Sequence, residues 1–129
     1  MDWNHKEEWS KTGTNFTVVV SRHESYEDEY TGKYRWCVYA YIYPKHPHFK
    51  KFESDDLFQE ATRKMPCHDG PSLLRYHYDK SNEITSIQVG ADYHHLHDDC
   101  FTFHYTKEEA STVFFNAEEL FEWLENYDR

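Results

Sequence analysis

Hydrophobic and polar positions alternate with a period of two over Phe16–His23, where Phe16, Val18 and Val20 interleave with Thr17, Val19 and Ser21. β-branched residues dominate this run, which predicts a strand. Tyr34–Tyr43 alternates more clearly: Tyr34, Trp36, Val38, Ala40 and Ile42 share one face, and Arg35, Cys37, Tyr39, Tyr41 and Tyr43 share the other. Both faces are largely apolar or aromatic, so the pattern predicts a central strand covered on both sides, ended by Pro44 and Pro47. Ser72–Tyr78 and Glu83–His95 read as the arms of a hairpin turning at Lys80-Ser81-Asn82, with Ile87, Val89, Ala91 and Tyr93 on one face. Cys100–Tyr105 reads as a fifth strand.

Helical spacing occurs in three places. Ser54-Asp55-Asp56 can open a helix carrying Leu57, Phe58, Ala61 and Met65, which Pro66 stops. Thr106 and Glu109 fit a capping box before a short helix, and Asn116 and Glu119 repeat the pattern before a last one. That last helix would dock through Leu120, Phe121, Trp123, Leu124 and Tyr127, with Glu118, Glu119, Glu122 and Glu125 outward. Residues 1–14 lack a period and read as a polar N-terminal arm, and Glu24–Lys33 reads as an acidic loop. The order predicts an α+β fold: one domain over 1–129, with an antiparallel sheet of about five strands and two or three helices packed on one face.

Composition changes this picture in two respects. Eleven Tyr, nine Phe and four Trp, 19% of the chain, stand where Leu, Ile and Val are expected. Such a core is apolar with hydrogen-bonding rims, and a surplus of Tyr and Trp also suits contact surfaces. The net charge of −10 argues against non-specific nucleic-acid binding and against an anionic membrane surface, and it favours a basic protein partner. Lys45, His46, His48, Lys50 and Lys51 form the one basic island, expected as a solvated loop able to contact a phosphate. Cys37, Cys67 and Cys100 are odd in number and form no CxxC pair; with a polar start, Met1-Asp2-Trp3-Asn4-His5-Lys6, they predict a reducing, cytoplasmic location. The apolar run Trp36–Tyr43 is too short to span a bilayer.

Ten histidines supply the candidate chemistry. Residues at i and i+2 of an extended chain point the same way, so His95, His97 and Asp99 can share a face and hold a divalent metal such as zinc. A metal with an open position would make a hydrolytic or oxygen-activating centre. A metal-free alternative uses His23-Glu24-Ser25 and His104-Tyr105-Thr106, two His-x-Ser/Thr motifs. Their spacing resembles the 2H phosphoesterase family, and the resemblance implies His23, Ser25, His104 and Thr106 facing one cleft, one histidine as base and the other as acid. Glu24 and Lys107 depart from the apolar surroundings that family has. Cys67-His68-Asp69 is adjacent in sequence, which does not imply an attacking geometry, and no GxSxG, P-loop or GxGxxG is present.

The third reading has no reaction. Glu27, Asp28 and Glu29 with Glu118, Glu122 and Glu125 can form an acidic field that mimics nucleic-acid phosphates and steers onto a basic groove. The stretches Arg35-Trp36-Cys37-Val38-Tyr39-Ala40-Tyr41-Ile42-Tyr43-Pro44-Lys45-His46-Pro47-His48-Phe49 and Val89-Gly90-Ala91-Asp92-Tyr93-His94-His95-Leu96-His97-Asp98-Asp99 resemble small bacteriophage accessory proteins. The resemblance implies an inhibitor of a host nucleic-acid-handling or defence complex, as anti-CRISPR proteins are. The sequence therefore leans towards a binder rather than an enzyme. A His-rich phosphodiesterase or hydrolase, or a sponge for a small nucleotide ligand, is the alternative.

Overall fold

A computed structural model of the chain describes residues 4–5, 8–24, 31–93 and 98–127. The fold is α+β, built on an open antiparallel sheet. Five principal strands are β2 (Glu8–Gly13), β3 (Phe16–Glu24), β4 (Tyr34–Ile42), β5 (Leu73–Tyr78) and β6 (Ile84–Asp92), and the two-residue β1 (Asn4–His5) adds to one edge. The order across the sheet is β1-β2-β3-β4-β6-β5. Two helices accompany it: α1 (Glu60–Arg63), a single turn, and α2 (Ser111–Glu125).

Alternation sets the layers. On β3 and β4 the residues Phe16, Val18, Val20, Trp36, Val38, Ala40 and Ile42 are buried, and register pairs Val18 with Ala40 and Val20 with Val38. The same face continues through Ile87 and Val89 on β6. Over it lie Ala61 and Met65, from α1 and just after it, and Val113, Phe114, Ala117, Leu120, Phe121 and Leu124 of α2. Trp9 stacks on Trp36 at 5.6 Å, and Phe114 meets Trp9 edge-on at 5.4 Å. The Trp36 indole donates to the His104 carbonyl at 3.1 Å, which satisfies its polar atom. Two carboxylates of α2 then clamp the β2–β3 hairpin. Glu118 accepts both 2.8 and 3.0 Å bonds from Lys11, and Glu125 accepts from the backbone and hydroxyl of Thr14 at 2.9 and 2.8 Å.

Several sequence expectations are corrected. Residues 8–13, assigned to a polar arm, form β2, because Trp9 reaches the core while Glu8 and Ser10 face outward. Only one face of β4 is covered by helices; Arg35, Cys37, Tyr39 and Tyr41 are half-buried. The helix expected from Ser54 is one turn at Glu60–Arg63, because side chains capture the preceding backbone. Ser54 Oγ accepts from Asp56 N, Asp56 Oδ1 accepts from Phe58 N, and Gln59 donates to the carbonyls of Ser54 and Asp56. Cys100–Tyr105 is no strand: residues Asp99–Phe103 make a 3-10 turn held by the Thr102 hydroxyl on the Asp99 carbonyl at 2.6 Å. The Thr106–Glu109 capping box forms as expected, with reciprocal bonds of 3.0 and 3.1 Å. Asn116 caps nothing; it lies inside the continuous α2 and donates to the Tyr93 hydroxyl.

In the basic island Lys45, Lys50 and Lys51 are exposed as expected, but the two histidines are not solvated. His46 and His48 are each 3% exposed. His46 Nε2–H donates to the Leu124 carbonyl at 2.9 Å, and its Nδ1 accepts from the His48 backbone at 3.0 Å. His48 Nε2–H donates to the Ala61 carbonyl and its Nδ1 accepts from the Tyr127 hydroxyl, both at 2.9 Å. The pair thus takes up carbonyls near two helix ends that lack intrahelical partners.

Two predictions follow from this packing. A Cβ on Gly90 would stand 2.1 Å from the Val38 carbonyl oxygen and 2.5 Å from Tyr39 Cβ. Gly90→Ala is therefore expected to destabilise the fold by about 2 kcal/mol, read as a lower denaturant midpoint. Burial drives His48 from 6.5 down to about 4, against the Ala61 hydrogen bond, with the neighbouring His46 and Lys51 lowering it further. The unfolded chain then takes up this proton first, so the His48 contribution is complete above pH 6.5 and is lost as pH falls towards 4. It amounts to roughly 2–3 kcal/mol, measured as the difference between wild type and His48→Gln in denaturation series across that range.

Candidate functional site

Two places concentrate unusual chemistry. The first is built by the turn after Pro66. Gly70 N–H donates to the Cys67 carbonyl at 2.9 Å, and Asp69 and Gly70 both adopt left-handed backbone, with φ of 55° and 82°. Asp tolerates this region, and glycine occupies it without steric cost. The bend brings the sequence neighbours His68 and Asp69 towards Asp98, which precedes the 3-10 turn. His68 Nε2 lies 2.8 Å from Asp98 Oδ1 and 3.6 Å from Asp69 Oδ2. The imidazole stacks on Tyr93 with centroids 4.2 Å apart and planes 13° from parallel, and Phe101 closes its edge at 5.6 Å. Burial raises the Tyr93 phenol well above its ordinary value, so it stays protonated while accepting from Asn116 at 2.7 Å. Asp98 is 4% exposed, whereas Asp69 is exposed. The interior behind this group, between Cys67, Tyr93, Asn116 and Leu120, has no room for water.

The second place is the face of the sheet opposite the helices. Strand register sets Thr17 beside Tyr41, Val19 beside Tyr39 and Ser21 beside Cys37 on this face. Tyr39 and Tyr41 meet edge-on at 5.6 Å, and Tyr41 lies 5.7 Å from the His77 ring. His77 Nε2 bonds to Gln88 Oε1 at 2.7 Å, and Tyr43 shares a 2.9 Å bond with Thr17. Burial pushes the Tyr39 phenol up to about 12, with the Tyr41 and Glu8 charges adding to it. The Tyr39 hydroxyl is therefore a neutral donor at the rim of an aromatic surface. Among the described residues the buried positions of both helices join the core on the other side.

The residues singled out from sequence are distributed as follows. His95 and His97, and Ser25, Glu27, Asp28 and Glu29, lie outside the described residues. Asp99 is exposed, and its neighbour Asp98 is the carboxylate that turns inward. The alternation expected over 95–99 does not extend to Asp99, because the chain there enters the 3-10 turn. His23 follows the alternation of β3 onto the uncovered face. His104 ends the 3-10 turn on the core side, where its carbonyl meets Trp36 and its ring meets Phe101 at 5.9 Å. Thr106 is engaged with Glu109. Of the helix glutamates, Glu118 and Glu125 are bonded to the β2–β3 hairpin, and Glu122 accepts from Asn126 at 3.0 Å. Sequence reasoning missed the His68–Asp98 pair, 30 residues apart, for which adjacent Asp69 and Gly70 were the only local signal.

No family model, curated protein or solved structure matches the chain. No helix among the described residues is long and apolar enough to cross a membrane.

The cysteines do not complete a nucleophilic site here. Burial pushes the Cys67 thiol up to about 12, and burial with the nearby Asp92 charge pushes Cys37 up to about 11. A thiol is nucleophilic only as thiolate. Alkylation at pH 8 is expected to modify the exposed Cys100 first, with Cys37 and Cys67 at least tenfold slower, as read by peptide mass mapping.

Proposed function

We propose that this chain is a binding protein whose contact surface is the face of the sheet opposite the helices and whose partner presents a basic protein surface. The observation that carries this reading is the row Tyr39, Tyr41 and His77, half-buried and ring-to-ring, on the face opposite both helices. Tyrosine contributes a large rigid contact area with a polar tip, and it is over-represented among the few residues that dominate binding energy. Its ring face also attracts Lys and Arg. The net charge of −10 adds long-range attraction to the same class of partner. The two contributions divide the work: charge speeds encounter, and the tyrosines set residence time.

A nucleic-acid-handling complex has the required basic surface, and an acidic protein occupying it would act as an inhibitor. The resemblance to phage accessory proteins fits that partner class. Glu118 and Glu125 are used within the fold, so the steering charge rests on other carboxylates, including Glu27, Asp28 and Glu29 of the acidic sequence segment.

Affinity capture from nuclease-treated lysate of the native cell is the test, followed by titration of the captured protein. A stoichiometric partner is expected whose affinity falls as salt is raised. Tyr41→Ser should weaken it at least tenfold, about 1.4 kcal/mol, with an unchanged circular dichroism spectrum. Reversal of Asp28 and Glu29 to Lys should slow association and flatten the salt dependence. A partner bound equally well by all these variants would refute the proposed surface.

A further inference from the structure

We propose that His68, Asp69 and Asp98 form a site for one divalent transition-metal cation, with zinc as the best-matched ion. Among the described residues, these three offer ligand atoms that all lie within 4.8 Å of one another. Zinc bonds to imidazole nitrogen and carboxylate oxygen are about 2.0–2.2 Å, which places neighbouring ligand atoms about 3.3–3.5 Å apart in a tetrahedron. The separations of 2.8 and 3.6 Å from His68 Nε2 bracket that spacing.

Charge supports the same conclusion. Two carboxylates and a neutral imidazole carry a formal charge that a divalent cation cancels. Asp98 is the deeply buried member, and a buried carboxylate depends on its surroundings for compensation. The ligand atoms, one nitrogen and two oxygens, suit zinc or manganese better than copper(I).

The backbone is shaped for the site as well. Successive residues of an extended chain point to opposite sides. Here Asp69 takes the left-handed backbone, and its carboxylate lies 3.6 Å from the imidazole of the residue before it, with Asp98 in the same group. Tyr93 behind the imidazole and Phe101 at its edge fix the plane of the ring. The side of Asp69 is open to solvent, which leaves water access to a remaining coordination position. The ion would fasten the 67–70 turn to the start of the 3-10 turn.

Metal-free protein, prepared with chelator and desalted, would be titrated with zinc chloride by calorimetry and followed by thermal unfolding. One equivalent is expected to bind and to raise the unfolding midpoint. Asp69→Asn is the decisive variant, because Asn accepts the left-handed backbone equally well and loses only the charged ligand. Asp98→Asn keeps an acceptor for His68. Each should weaken that equivalent at least tenfold, and His68→Ala should remove it. Zinc binding with wild-type affinity in Asp69→Asn and Asp98→Asn, or no binding by the wild-type chain, would overturn the assignment.

Discussion

The stacking of Trp9 on Trp36, with Phe114 against both, is the contact on which the rest of the fold depends. It joins an outer strand, the central strand and α2 in one aromatic cluster. The indoles bury far more area than the aliphatic residues they replace, so one cluster does the work of a wider Leu and Ile core. The Trp36 hydrogen bond to the His104 carbonyl extends its influence to the 99–103 turn, and thereby to Asp98. Displacing Trp36 would disturb the core and the His68 group together.

Because this cluster draws both helices to one side, β4 is asymmetric although its sequence is aromatic on both faces. Tyrosine makes that tolerable. A phenol can lie half-buried with its hydroxyl in water or on a neighbouring side chain, as Tyr43 does on Thr17, whereas leucine in the same place would leave a bare apolar patch. The buried histidines follow a related logic on the covered side. Their two ring nitrogens meet one donor and one acceptor each at His48, so a polar residue fills an interior position without an unsatisfied atom.

The sequence carried the strands and the hairpin turn well because their determinants are local. The period-two runs at β3, β4 and β6, and the turn that Asp79 closes by accepting from Ser81 and Glu83, need no distant partner. β2 was hidden because a single Trp identifies its inner face, with Lys11 and Gly13 completing it. Asn116 looked like a cap because its real partner, the Tyr93 hydroxyl, is 23 positions away. The His68 group was illegible for the same reason: its geometry exists only once the 67–70 turn and the 98–103 segment are packed on Tyr93. Asp98 turns inward to His68, whereas its neighbour Asp99 is exposed.

The strand order has a consequence for how the chain is made. β2, β3 and β4 form a meander of sequence neighbours, but the layer that seals their apolar side comes chiefly from α2, some seventy residues after β4 ends. During synthesis at ~5–20 residues per second, the meander leaves the ribosome several seconds before its cover exists. Trp9 and Trp36 spend that interval without Phe114. Throughout that window the apolar side of the meander lacks its cover, and the rate at which α2 arrives governs how long the window lasts.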